Sequence, residues 1–147
     1  MGLPGAGKTT FYQQRFAATH RHISKDLWPN VRDRDARQQQ ALNEALSNEV
    51  SVVIDNTNPG VADRAAIIAI ARAHDARVVG YFFAVTTREA VARNAGRSGR
   101  QRVPNVAIFT VAKRLEPPTP AEGFDELFRV SLTRDRGFKI EQSGKGA

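Results

Sequence analysis

The chain has 147 residues, 41% hydrophobic and 25% charged, which suits one core and is short for two; a single domain is expected over 1–132, with a C-terminal extension and polar tail over 133–147. It has no cysteine, which excludes disulfides, thiolate metal sites and cysteine nucleophiles. No apolar stretch reaches the roughly 18 residues of a membrane span, and no targeting segment is visible, so a cytoplasmic protein with no membrane partner is expected.

The net charge is +7, and 17 Arg stand against 5 Lys. The guanidinium fork grips phosphate oxygens two at a time, so nucleic acid is a natural partner. A GC-rich genome gives the same bias with solvated arginines, and charge alone does not separate the two.

The chain opens on Gly2-Leu3-Pro4-Gly5-Ala6-Gly7-Lys8-Thr9, which fills the pattern GxxxxGK[ST]. Its glycines allow left-handed backbone angles that turn N–H groups inward, and a helix over 7–18 points its positive end at the same place. The motif predicts a pocket for ATP built from Gly2, Pro4, Gly5, Ala6, Gly7, Lys8, Thr9 and Thr10. In it Lys8 reaches the β- and γ-phosphates and the Thr9 hydroxyl meets Mg²⁺. Such a loop ordinarily leaves the carboxyl end of a central strand, yet only Met1 stands before Gly2. The favoured reading is a truncated start with the first, central strand missing.

Further along, short apolar runs alternate with helical patterns, as in βα units. Residues 20–23 read as a short strand ending at Ser24-Lys25-Asp26, and 32–48 as a polar helix in which Gln38-Gln39-Gln40 marks only a polar face. Residues 50–54 form a strand that ends at Asp55-Asn56-Thr57-Asn58-Pro59, followed by an amphipathic helix over 61–74. A continuous apolar run over 78–85 is a strand covered on both faces. Then come a helix over 87–94, a basic glycine-containing loop over 96–103, a helix over 104–115, a linker-like stretch over 116–123, a strand over 127–132 and a polar tail over 141–147. The expected fold is α/β, a P-loop NTPase-type three-layer sandwich with a mostly parallel sheet.

Ligands of open α/β sheets sit at the carboxyl ends of the strands, where Asp26 and Asp55 both fall. Asp55 has the placement of a carboxylate that orients Mg²⁺ beside Thr9, and Asp26 that of a base taking the proton from an attacking hydroxyl. Motor-type ATPases carry a second acid after the strand-end Asp to position water. Here that neighbour is Asn56, so transfer to a hydroxyl fits better. The cluster Arg93, Arg97, Arg100 and Arg102 is placed to close over a triphosphate, Arg97 first and Arg93 second. Trp28 reads as core packing ahead of a base-stacking platform, and His20, His22 and His74 lack the clustered acids or thiols of a metal site.

Taken together, Gly2 to Thr9, Ser24-Lys25-Asp26, Asp55-Asn56-Thr57-Asn58-Pro59 with Arg64, Arg93-Asn94 with Arg97, and Pro117-Pro118-Thr119-Pro120-Ala121-Glu122-Gly123-Phe124 resemble the kinase domain of polynucleotide 5′-hydroxyl kinase/3′-phosphatases. The resemblance covers nearly the whole chain. It implies Lys8 and Thr9 on ATP and Mg²⁺, Asp26 as base on the 5′-hydroxyl, Asp55 near the metal, an arginine of 93–97 on the lid and Arg64 near the nucleic acid. Lys25 stands where an arginine often precedes the catalytic Asp, which keeps the charge and loses the fork. No phosphatase accompanies it, because Asp33-Arg34-Asp35-Ala36-Arg37 lacks a preceding apolar strand.

The expected activity is ATP-dependent phosphoryl transfer to the 5′ end of DNA or RNA, a repair-type kinase reaction. Lys25, Asp26, Thr57, Asn58 and Arg64 are the acceptor-side candidates. The alternatives are a P-loop kinase of a small-molecule hydroxyl and a non-catalytic ATP-binding module. Nothing in the chain bears on oligomeric state.

Overall fold

In the computed structural model, residues 1–145 are described; positions 146 and 147 of the expected tail lie outside them. Runs rich in Val, Ile and Phe give β1 (Arg21–Ile23), β2 (Val52–Ile54), β3 (Val79–Phe83), β4 (Glu126–Leu132) and β5 (Phe138–Lys145). Between them lie α1 (Lys8–Arg15), α2 (Arg34–Ser47), α3 (Val61–Ala73), α4 (Thr87–Ala95) and α5 (Asn105–Arg114). None of the described helices is long and apolar enough to cross a membrane.

The strands form two sheets. Parallel β1 and β2 pair Ile23 with Ile54, while parallel β3 and β4 carry antiparallel β5 on the outer side of β4. Helices on α/β crossovers account for the parallel pairs.

Three sequence expectations change. The segment read as a polar tail from 141 belongs through Lys145 to a strand, because Phe138 and Ile140 alternate onto the core while Lys139 and Glu141 face out. The linker-like stretch 116–123 is docked: Glu116 N–H donates to the Pro59 carbonyl at 2.8 Å, and Thr119 and Glu122 close a capping box on a 3₁₀ turn, Pro120–Glu122. Helix α1 stops at Arg15 instead of 18, and the chain doubles back so that the Tyr12 hydroxyl donates to the His20 carbonyl at 2.7 Å.

A large apolar cluster joins Leu3, Ala6 and Phe11 to Phe83, Val85, Ala90, Ile108 and Val130. Phe11 meets Phe83 and Phe138 edge-on, with ring centroids 5.3 and 5.2 Å apart. A smaller cluster packs Ile23 of β1 against Ala41 and Leu42 of α2, with Trp28 half-buried on it and the Arg37 guanidinium over its ring at 5.0 Å.

Met1 and Gly2 run between the two sheets. Gly2 bridges to Phe83 in parallel fashion and donates its N–H to the Thr57 carbonyl at 2.9 Å. The α-amine of Met1 donates to the Tyr81 carbonyl at 3.0 Å, and burial brings its pKa down to about 5. Before it, between β2 and β3, lies a cleft of about 660 Å³ lined by Val52, Ile54, Val79, Tyr81, Phe11 and Ile67. Among the described residues no named strand pairs with β3 on the side where Gly2 bridges to Phe83, and β2 pairs with β1 alone.

Candidate active site

The phosphate loop is anchored from below and shaped by its glycines. Leu3 and Ala6 are 2% and 0% exposed in the large cluster, Ala6 N–H donating to the Leu3 carbonyl at 3.2 Å, while Pro4 is half-buried. Gly5, at φ 82°, brings its backbone so close to α4 that a Cβ would lie 2.8 Å from the Ala90 carbonyl oxygen. Gly7, at φ 96°, caps α1, whose first-turn N–H groups have no intrahelical partner and point at the loop. Lys8 Nζ donates to the carbonyls of Gly2 and Leu3 at 3.1 and 2.7 Å. Burial lowers its pKa to about 8, with Asp55 and Asp26 pulling it back up and Arg97 pushing it down.

Thr9 and Asp55 meet as the sequence predicts. The Thr9 hydroxyl donates to Asp55 Oδ2 at 2.7 Å, and His22 Nε2 lies 2.9 Å from the same oxygen. The His22 ring is stacked on Tyr12 at 4.2 Å, which fixes its plane. Thr9 and Asp55 present two hard oxygens beside the phosphate loop, a donor set that fits Mg²⁺, which takes one or two protein oxygens and completes its shell with phosphate and water.

On the α4 side Arg93 donates to the Thr10 hydroxyl at 3.4 Å and lies against Gly7. Arg97 donates to the Gln101 carbonyl at 3.2 Å. Its pKa is lowered by burial and by Arg93, against the pull of Asp55 and Asp26, so both acids lie within its electrostatic reach.

Asp26 sits on a 3₁₀ turn, Lys25–Leu27, capped by Ser24, whose Oγ accepts from the Asp26 N–H at 3.3 Å. Its side chain is exposed and takes part in no hydrogen bond or ion pair among the described residues. Lys25 turns the other way, its ammonium paired with Asp35 at the start of α2. Asp33 caps α2 through the Ala36 N–H at 3.0 Å, so Asp33-Arg34-Asp35-Ala36-Arg37 is a helix start.

The remaining acceptor-side candidates are drawn into loop structure. Thr57 gives its carbonyl to Gly2, and Asn58, at φ 41°, gives its carbonyl to Arg64. Arg64, expected near the nucleic acid, is 3% exposed. Its guanidinium pairs with both Glu122 oxygens at 2.7 and 3.1 Å and donates to the carbonyls of Asn58 and Pro59. A buried bidentate pair has no fork to spare for a phosphate, so Arg64 ties the 55–59 loop to the 119–124 segment.

Sequence reasoning passed over three participants. They are His22, Asn56 and Gln38, which the sequence presents as an isolated histidine, a non-acidic strand end and a polar helix face. Gln38 is 6% exposed, and its Oε1 accepts from Asn56 Nδ2 at 2.6 Å; Asn56 Oδ1 accepts from the Lys25 N–H at 2.9 Å. The signal was available for Gln38, which shares a helix face with Ala41, Leu42 and Ala45 at helical spacing.

Comparisons with known proteins bear on the same region. A family model described as AAA domain matches residues 1–118. A Schizosaccharomyces pombe protein named bifunctional polynucleotide phosphatase/kinase is 27% identical over 134 residues, covering 88% of this chain and 32% of its own length. The chain thus spans about a third of that relative. Among solved structures, a sugar kinase from Janibacter sp. HTCC2649 superposes with a TM-score of 0.64 at 16% identity, over 89% of this chain and 82% of the other. Chaetomium thermophilum Kti12 in complex with ADP-AlF3 gives 0.62 at 19% identity, over 89% and 86%. At these identities the two structures speak for the fold.

Proposed function

The chain belongs to the AAA domain family and is a P-loop, kinase-like ATP-binding domain; from that premise we propose that it transfers the γ-phosphoryl group of ATP to the 5′-hydroxyl of a nucleic acid. One observation carries the reading. Adjacent side chains at the end of β2 reach in two directions, Asp55 to Thr9 of the phosphate loop and Asn56 to the turn bearing Asp26. The turn that bears Asp26, whose carboxylate is unengaged among the described residues, is thereby tied to the same strand end as the phosphate loop, which supports in-line transfer to an alcohol with Asp26 as base. The name of the curated relative supports a polynucleotide acceptor.

In this mechanism the loop amides and Lys8 hold the β- and γ-phosphates. Thr9 and Asp55 would hold Mg²⁺, which would supply charge neutralisation at the phosphates. Asp26 takes the proton of the acceptor hydroxyl as that oxygen bonds to the γ-phosphorus. The bond from the γ-phosphorus to the β–γ bridging oxygen breaks, and ADP leaves. Arg93 and Arg97 face the transferred group with positive charge. Lys25, Thr57 and Asn58 border the acceptor side through the loops they stabilise.

The test is acceptor choice under salt. Transfer from labelled ATP to a 5′-hydroxyl oligonucleotide is expected to show an acceptor KM that climbs steeply with salt, each phosphate contact adding about 0.7 to the logarithmic slope. Transfer to a sugar or nucleoside with no salt dependence, and none to the oligonucleotide, would assign the chain to small-molecule phosphorylation. Tight ATP binding with no transfer to any alcohol would make it a binding module.

A further inference from the structure

We propose that Asn56 and Gln38 are positioning residues for the base, a relay that sets the turn carrying Asp26 from the end of β2 and the buried face of α2. The inference rests on the kinase reading above and adds to it two residues that touch neither nucleotide nor acceptor.

The directions of the hydrogen bonds leave one arrangement. The N–H of Lys25 can only donate, so Asn56 must present its oxygen there, at 2.9 Å. Its NH₂ then faces Gln38 and donates to Oε1 at 2.6 Å. Gln38 is 6% exposed and lies on the helix face that packs β1, so its carboxamide has little room to turn away.

The relay supplies what the turn lacks. Of the three N–H groups of the turn Lys25–Leu27, Asp26 is served by Ser24 Oγ and Leu27 by the Ser24 carbonyl at 3.1 Å. Only the Lys25 N–H takes its partner from another element. That bond fixes the first residue of the turn relative to β2, and hence the Asp26 carboxylate relative to Asp55 and the phosphate loop. Asp55 itself is registered to the same strand pair by its N–H to the Ile23 carbonyl at 2.8 Å. Base and phosphate cradle therefore share one frame, and a displacement of about 1 Å at the base costs on the order of 100-fold in rate.

The test compares the full chain with Asn56→Ala, Gln38→Met and Gln38→Glu, using labelled ATP and a saturating 5′-hydroxyl oligonucleotide. Asn56→Ala is expected to lower kcat by about 100-fold and Gln38→Met by about tenfold, with the KM for ATP within about twofold of wild type. Gln38→Glu keeps an acceptor oxygen and restores most of what Gln38→Met loses. A merely structural role would lower thermal stability and ATP affinity together and leave kcat per folded molecule unchanged; that outcome, or wild-type kcat in Asn56→Ala, overturns the relay. Amide exchange at Lys25 gives a readout independent of activity: protected in the wild type and faster by at least about tenfold in Asn56→Ala. If the wild type fails to phosphorylate the oligonucleotide, the kinase reading falls, and unchanged Lys25 exchange in Asn56→Ala then overturns the relay by itself.

Discussion

The phosphate loop is pinned by Leu3 and Ala6 inside an apolar cluster running from Phe11 to Val130; on the proposed acceptor side the turn bearing Asp26 hangs on Ser24, Asn56 and Gln38 above a much smaller cluster. Apolar packing spreads its effect over many contacts, so the placement of the loop backbone does not hang on any single polar group. The acceptor side is held by directional bonds, each with one donor and one acceptor, and a single substitution disconnects it. Between β2 and β3 lies the cleft of about 660 Å³, with Met1 on its lining.

The contrast can be broken most severely at the cradle. Lys8→Ala removes the ammonium from the loop, and ATP affinity and transfer are expected to disappear together, as read by calorimetry and by label transfer. Next in size is Arg64→Met, which leaves Glu122 buried and unpaired; chemical denaturation should show a loss of about 3–5 kcal/mol, with the 55–59 loop freed from the 119–124 segment. A variant as stable as wild type would mean that the pair stabilises nothing.

A third experiment addresses the cleft between the two halves. Five Val and Ile residues joined ahead of Met1 are expected to run parallel to β3, pair with the open edges of β2 and β3 and raise the Tm; an unchanged Tm would show that the cleft does not take a strand. The smallest effect concerns Asp125, which accepts from Val78 N–H at 2.7 Å and pairs with Arg72. The hydrogen bond from Arg72, then that from Val78, hold its carboxyl below the usual carboxylate range. A depressed folded-state pKa contributes stability above about pH 4 that is lost as the pH falls through the lower folded value. The Tm gap between wild type and Asp125→Asn should thus be constant from about pH 5 to 7 and close in more acidic buffer.

What could be read from the chain follows from how local each signal is. The phosphate loop, the five helices and the strand-end acids rest on contiguous residues, and Thr9 meets Asp55 because both belong to motifs whose geometry is set by a strand end and a helix start. The buried pairing of Arg64 with Glu122 links residues 58 positions apart and leaves no periodic trace. Strand β5 was hidden by its charges, although the alternation of Phe138 and Ile140 with Lys139 and Glu141 is the pattern of an outer strand with one wet face. The burial of Gln38 is legible from the helix face it shares with Ala41, Leu42 and Ala45, but its partner Asn56 lies 18 positions away and leaves no local trace.

The central claim is that Asp26 acts as a base on an alcohol presented to the phosphate loop. Its most direct test is label transfer from ATP to a 5′-hydroxyl oligonucleotide by Asp26→Asn, with ATP affinity measured in the same preparation. The account predicts a rate lower by about 10²–10⁴-fold with ATP binding within about twofold of wild type; an Asp26→Asn protein that transfers at the wild-type rate would contradict it.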